Sequence, residues 1–317
     1  MKHLWFASLA ALTFSVAWAQ PTDYPTRPVK IVVMTSPGTS ADQTARLLAT
    51  QYAATFGQPF VVENRPGGDG ITGAMAVKGA PADGYTLLLG SNSPMSVNPI
   101  VKKDLPYDPL KDLKPVRGLF KAMNVVVVPP DSPFNSLAEL IEAARKKPLN
   151  LGTSFAGYRL DMEWLATLSG AKFNNVPYKG TPQVLTDLMG HHLDLGFTDR
   201  GVVDPLLNSG KVKGLAVGGN TRYRKPPDLP TVRESGYPEY TSFAWTAVFA
   251  PAETPDHIVT KLSDATRKAM ESEPLKEYLT KMGGDLLPLG PVEMREFHVA
   301  EIARYRRVAE AAGIKPE

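Results

Sequence analysis

From Lys30 the chain runs Ile31-Val32-Val33-Met34 without a polar break, halts at Pro37-Gly38, and resumes with Ala41, Ala45, Leu48 and Tyr52 at helical spacing. This predicts a strand, a loop and a helix. An unalternated apolar run suits a strand buried on both faces of a parallel sheet, and Thr39 or Ser40 suits the first-turn cap. The helix N-terminus then faces the loop, where free N–H groups and the positive end of the dipole favour an anion. One such turn is ordinary in any parallel α/β fold. Here the device recurs.

A second strand is predicted over 60–62 and a third over 86–89, the latter running into Gly90-Ser91-Asn92-Ser93-Pro94, rich in hydroxyl and amide groups. Proline punctuates 106–115, and Asn124 with four successive valines predicts a strong strand over 124–128. Ser136-Leu137-Ala138-Glu139 is a capping box opening a helix. Asn150-Leu151-Gly152-Thr153-Ser154 repeats the opening device and leads through Phe155, Tyr158 and Arg159 into a helix bearing Met162, Leu165, Ala166 and Leu168. Val176-Pro177-Tyr178-Lys179-Gly180 is another strand end, with a helix over 182–189 behind it, and 193–197 leads into Thr198-Asp199-Arg200-Gly201. A strand over 214–217, a loop over 226–230 and a strand over 243–249 follow, and two amphipathic helices beginning at Thr254-Pro255 and at Pro291 close the chain.

Strands alternating with helices give the α/β class with mainly parallel sheets, in which ligands gather at the carboxyl ends of strands. Polar loops at several strand ends, spread over about two ordinary domain lengths, predict two lobes facing one cleft. The expected division puts 20–123 and 246–317 in the first lobe and 124–245 in the second. The strands over 125–128 and 243–249 are then the crossings, with Trp245 near the hinge.

Composition sharpens this picture in three ways. Residues 1–19, MKHLWFASLAALTFSVAWA, carry one lysine, an apolar run and Ala17-Trp18-Ala19, the form of a secretory signal peptide cleaved before Gln20. No later stretch approaches 18 uninterrupted apolar residues. Cysteine is absent, which removes disulfides, thiol nucleophiles and cysteine metal sites. Net charge is +3, with Lys and Arg interleaved among acids, so no nucleic-acid or anionic-membrane partner is expected.

Candidate chemistry narrows quickly. Gly68, Gly70 and Gly73 match G-x-G-x-x-G, but they follow a second strand and Pro81, Asp83 and Gly84 interrupt the unit, so a glycine-rich turn into a short helix is expected. Gly152-Thr153-Ser154-Phe155-Ala156 comes within one residue of a hydrolase elbow, with Asp199 and His257 or His298 following in order. Both histidines fall inside helical patterns, so a serine hydrolase is a remote alternative. His191-His192 are adjacent rather than at metal-ligand spacing, with Asp194 close enough to pair with either, and no metal or cofactor is expected. Trp164, spaced with Leu160 and Leu168, is expected in the core, and Arg304, Arg306 and Arg307 on a solvated face beside Glu301 and Glu310.

Taken together, a further set of words is specific. Tyr24-Pro25, Pro37-Gly38 with Ala41-Asp42, Glu63-Asn64-Arg65-Pro66-Gly67, Asp83-Gly84-Tyr85, Val176-Pro177-Tyr178-Lys179-Gly180, Leu229-Pro230-Thr231-Val232 and Ala312-Gly313-Ile314-Lys315-Pro316 occur in order along the chain. In these the sequence resembles the Bordetella uptake family, the periplasmic solute-binding proteins of tripartite tricarboxylate transporters. The resemblance implies a two-lobed Venus-flytrap protein of type II, monomeric and without catalysis, that closes on a small organic carboxylate and hands it to membrane transporter subunits. A periplasmic sensor subunit feeding a two-component kinase shares the fold and stays open as an alternative.

By position, the resemblance assigns ligand contacts to Thr35, Ser36, Gly38, Thr39, Ser40, Ser91, Asn92, Ser93, Thr153, Ser154, Tyr158, Arg159, Tyr178, Thr198, Asp199 and Arg200. In those loops the chain departs from the family pattern. The usual Phe-Pro-Pro-Gly-Gly reads Thr35-Ser36-Pro37-Gly38-Thr39, a small serine-rich stretch carries Phe155, Tyr158 and Arg159, and an Asp-Asn pair reads Thr198-Asp199 with Arg200 behind it. One carboxylate can be held by the helix after Gly38 with the hydroxyls of Ser36, Ser40 and Ser91. Arg159 is surplus to that end, which implies a dicarboxylate or an aromatic carboxylate, with Tyr158 and Phe155 against its carbon skeleton. The bland reading pairs Arg159 with Asp161 or Glu163, and Arg200 with Asp204.

Overall fold

The computed structural model describes residues 23–222, 228–281 and 284–316. The expected signal segment and the prolines 226–227 lie outside the described residues.

The opening pattern folds as read. Strand β1 (Val29–Val33) is followed by helix α1 (Ser40–Phe56), which buries Ala45, Leu48 and Tyr52. Strand β2 (Phe60–Asn64) leads through a single tight turn at Gly68–Gly70 into α2 (Ile71–Lys78). Next come β3 (Thr86–Ser91), a π-turn over Ser93–Val97, and the short α3 (Asn98–Val101). Strand β1 pairs in parallel with both β2 and β3.

The first departure is β4 (Leu113–Val128), a strand of 16 residues whose start the prolines conceal. Pro115 is tolerated because the pairing register shifts between Pro115 and Arg117, a bulge where no ladder N–H is required. The second lobe continues with α4 (Leu137–Lys146), β5 (Leu149–Thr153), α5 (Ala156–Ser169), β6 (Phe173–Pro177), α6 (Thr181–Met189), β7 (Leu195–Asp199), α7 (Arg200–Asn208) and β8 (Lys213–Val217). Helix α4 opens on the expected box, with Ser136 Oγ accepting the Glu139 amide at 3.2 Å and Glu139 accepting the Asn135 amide at 2.6 Å. The chain then returns as β9 (Phe243–Pro251), α8 (Asp256–Met270), α9 (Glu273–Lys281), β10 (Gly284–Leu286) and α10 (Pro291–Ala311).

The strand order is β2-β1-β3-β9-β4-β7-β5-β6, with β8 and β10 also paired to β4. Two mainly parallel sheets thus share one strand. The segment from Leu113 to Met123 pairs with β9, while Asn124 to Val127 pairs with β7 and Val125 to Val128 with β8. All the pairing of β9 lies in the first sheet, against β3 and the first part of β4. The return crossing therefore comes just before it, where the Gly218 amide donates to Asn124 O at 2.8 Å and the Ser242 amide to Gly218 O at 2.9 Å. Trp245, expected near the hinge, pairs with Lys121 close to these crossings and is fully buried with Val32, Leu88 and Phe249.

Separate apolar cores flank the two sheets, Leu48, Leu87 and Leu262 lying in one and Val126, Leu165 and Phe197 in another. A smaller cluster of Val97, Leu160, Tyr305 and Val308 joins the lobes. Helix α10 makes that junction, since His298 near its start bonds Met95 O at 2.8 Å and Tyr305 further on packs against α5 residue Leu160.

Candidate functional site

The loop after β1 is a tightly bonded turn. Gly38 adopts φ +84°, which a residue without Cβ takes without strain. Thr39 caps α1, its hydroxyl accepting the Asp42 amide at 3.3 Å, and the Thr35 hydroxyl lies 2.7 Å from it. The Ser40 and Ala41 amides head the helix, and the Tyr278 hydroxyl of α9 donates to Ser40 O at 3.0 Å.

This turn also carries an anion of its own. Asp42 is buried and accepts from the Gly38 amide at 2.9 Å, from Asn64 Nδ2 at 3.0 Å and from Arg46 at 3.0 Å. Burial would raise its carboxyl, yet hydrogen bonds from Arg46, Gly38 and Asn64 outweigh that and hold it below the usual range. Sequence reading omitted Asp42 and Asn64 from the site, although Asp42 lies in the first helical turn, where an acid suits the dipole.

The second lobe assembles a chain of hydroxyls. Ser154 Oγ lies 3.2 Å from Thr181 Oγ1, and Thr198 Oγ1 donates to Thr181 Oγ1 at 3.1 Å. Three strand ends, those of β5, β6 and β7, are thereby tied at one point. Thr181 is the member that sequence reading missed. It is the first residue of α6, directly after the Lys179-Gly180 end that was recognised. No histidine takes part: His257 is exposed on α8 and His298 is buried in α10.

Several expected site residues are engaged elsewhere. Tyr158 is buried in the second-lobe core, edge-on to Phe155 and Phe197, because 158, 162 and 165 continue one apolar stripe. Arg200 is wholly buried and ion-paired to Asp204 one turn on. Thr153 donates to Asn175 Oδ1 at 2.6 Å, and Tyr178 donates to Asp187 at 2.6 Å. Asp199 is half-buried at the end of β7, opposite Asn124, and burial pushes its carboxyl up against the opposing pull of the Tyr158 hydroxyl. Ser36 and Gly38 are exposed, and Ser91 is half-buried opposite Thr246.

Asn92 and Ser93 hold the lobes together. Ser93 Oγ accepts the Gly157 amide at 3.1 Å, and Asn92 Nδ2 donates to the Tyr305 hydroxyl at 3.3 Å. Beside this contact lies a buried polar group at the crossings. Asn124 Nδ2 donates to Ser242 Oγ at 2.7 Å, and Ser242 Oγ donates to Asp161 at 2.6 Å. Asp161 therefore does not pair with Arg159, and Arg304, expected on a solvated face, is largely buried in a two-pronged pair with Glu301. Asp194 likewise accepts the Asn150 amide at 2.7 Å rather than pairing with a histidine.

Between the lobes, alongside the start of α5, is a cavity of about 690 Å³. Thr153, Ser154, Phe155, Arg159 and Tyr178 line it from the second lobe, and Asp69 and Lys102 from the first. Arg159 is exposed there and lies 4.0 Å from Glu163. Among the described residues there is no cluster of metal-ligating side chains, and no helix is long and apolar enough to cross a membrane.

Comparison with known proteins agrees with this architecture. Residues 44–314 match the model of the tripartite tricarboxylate transporter family receptor. The protein BugT of Bordetella pertussis is 34% identical over 299 residues, 92% of this chain and 91% of that protein. The solved structure of R. palustris Rpa4515 with adipate superposes with a TM-score of 0.86 at 35% identity, covering 93% of this chain and all of that one. MatC from Rhodopseudomonas palustris with bound malate gives a TM-score of 0.83 at 31% identity, over 90% of this chain and 99% of that one.

Proposed function

This chain belongs to the family of tripartite tricarboxylate transporter receptors, and we propose that it is a periplasmic binding protein that captures an organic carboxylate, with a dicarboxylate or an aromatic carboxylate preferred, for a membrane transporter of that tripartite class. The observation that carries this reading is that each lobe ends its strands in hydrogen-bond donors that suit an anion. The first offers the Ser40 and Ala41 amides at the N-terminus of α1, and the second the linked hydroxyls of Ser154, Thr181 and Thr198. Backbone amides and hydroxyls can hold a carboxylate without a cationic side chain, which suits a receptor that must also release it. The relatives solved with adipate and malate support the ligand class. Export to the periplasm is supported by the signal-like pattern of residues 1–19.

A thermal-shift panel of mono-, di- and tricarboxylates, aromatic acids, sugars and amino acids tests this reading. Binding to the folded state alone stabilises by RT ln(1 + [L]/Kd), about 2.7 kcal/mol at a hundredfold excess over Kd. Stabilisation confined to carboxylates is expected. A panel in which no carboxylate raises the melting temperature, or in which a bound acid is turned over, would sink the proposal.

A further inference from the structure

The cavity beside α5 is larger than a small diacid requires and lies in the range that drug-sized ligands fill. Much of its wall belongs to residues the candidate site does not use. Phe155 and Phe173 contribute apolar surface from the second lobe, with Val101 from the first and Ile314 from the C-terminal segment. Among the described residues, the charged groups lining it are Lys102, Arg159, Lys315, Asp69 and Glu163. Lys102 lies 3.3 Å from Asp69, and both side chains are about one-third exposed. This loose pair, unlike the buried pair of Arg200 with Asp204, can be exchanged for a ligand anion at small cost.

We propose that this cavity seats the far end of the ligand, and that Lys102 is its specificity-determining contact, selecting carboxylates whose extended or ring-bearing apolar body ends in a second anionic group. The inference rests on the carboxylate reading and deepens it. Ser154 belongs to both regions, so one molecule can reach from the hydroxyl chain into the cavity. Its body then lies along Phe155 and Phe173, and its second anion meets a cation contributed by the first lobe. A ligand spanning in this way draws the lobes together, whereas a short acid held by the hydroxyls alone leaves Lys102 with Asp69.

Titration calorimetry with succinate, adipate, suberate, sebacate and terephthalate, each beside its monocarboxylate counterpart, tests the assignment. The longer and aromatic diacids are expected to bind more tightly than succinate. Lys102→Met keeps the stem and removes the charge. It should weaken those diacids by about tenfold, equivalent to 1.4 kcal/mol, while leaving the monocarboxylates unchanged. Asp69→Asn frees Lys102 and should strengthen the same diacids. If short acids bind and long ones do not, or if Lys102→Met leaves the diacid series unchanged, the cavity assignment is wrong and the carboxylate reading survives. If none of these acids binds at all, both fail.

Discussion

Asp161 is buried on α5, where its carboxyl meets Ser242. Burial raises it from 3.8 to about 7. Arg304 and the hydroxyls of Ser242 and Tyr305 oppose that rise, and the charge of Glu301 adds to it. Between these two pH values the folded chain keeps a proton that the unfolded chain has released. Stability contributed by this group therefore falls as pH rises through the window and levels off above it. His298 acts in the opposite sense. Burial lowers it from 6.5 to about 4, so acidification through that range protonates the unfolded chain first and costs stability. Because the windows overlap, the informative quantity is the difference between parent and variant. Asp161→Asn retains an acceptor for Ser242 and removes the titration. In urea unfolding at pH 5 and pH 7.5 the variant should gain on the parent by about 1–3 kcal/mol at the higher pH, at 1.36 kcal/mol for each pKa unit. An equal difference at both pH values would show that Asp161 does not titrate there.

At the level of elements, α5 and the π-turn come into close contact at Gly157 and Ser93. A methyl on Gly157 would come within 2.7 Å of Ser93 Oγ and 3.0 Å of Asn92 Nδ2. Both neighbours are buried and bonded, so neither yields freely. Overpacking of this kind costs about 1–3 kcal/mol, against a gain of up to about 1 kcal/mol from the better helix propensity of alanine. Gly157→Ala should therefore lose about 1–2 kcal/mol in chemical denaturation. Combining it with Ser93→Ala, which removes the closest atom, should recover part of the loss; strict additivity of the two would mean that the contact does not matter. Such elements were only partly legible in the chain. Unbroken apolar runs disclosed β1 and β3, because burial on both faces leaves an uninterrupted signal, while β5 and β7 were marked by their shorter apolar stretches and the polar loops behind them. Pro115 hid the first part of β4, and Gly201 with Pro205 hid α7, since local breakers are overridden when a bulge or tertiary packing absorbs them. Within the site, the sequence marked the right loops but not which way their side chains turn. Tyr158 continues an apolar stripe and could have been read as inward-facing, whereas the pairing of Arg200 with Asp204, one helical turn apart, was the alternative reading and is the one observed. Asp42 had such a signal in Arg46 one turn on, whereas Thr181 had none, because its role depends on strand ends that meet only in the folded sheet.

For the whole molecule, what matters is how two lobes joined by a shared strand move against each other. Strand β4 passes from one sheet to the other between Met123 and Asn124, and the chain returns at Ser242, so rotation about these neighbouring points changes the cleft with little strain elsewhere. Helix α10 complicates that rotation by packing on both lobes, and the cluster it builds with Val97 and Leu160 is where relative motion is felt. The described residues include two tryptophans with contrasting positions. Trp245 is held within the first lobe, edge-on to Phe297 and His298, and moves with its surroundings as one body. Trp164 is half-buried against the cluster shared by the lobes. Ligand-induced closure should therefore alter the emission of Trp164 and leave that of Trp245 nearly constant. Trp164→Phe should abolish the fluorescence change on adding a bound carboxylate while calorimetry still records binding, and small-angle scattering should show the radius of gyration shrinking in both proteins. Persistence of the signal in that variant, or an unchanged radius at saturation, would mean that the lobes do not close about the crossings at Asn124 and Ser242.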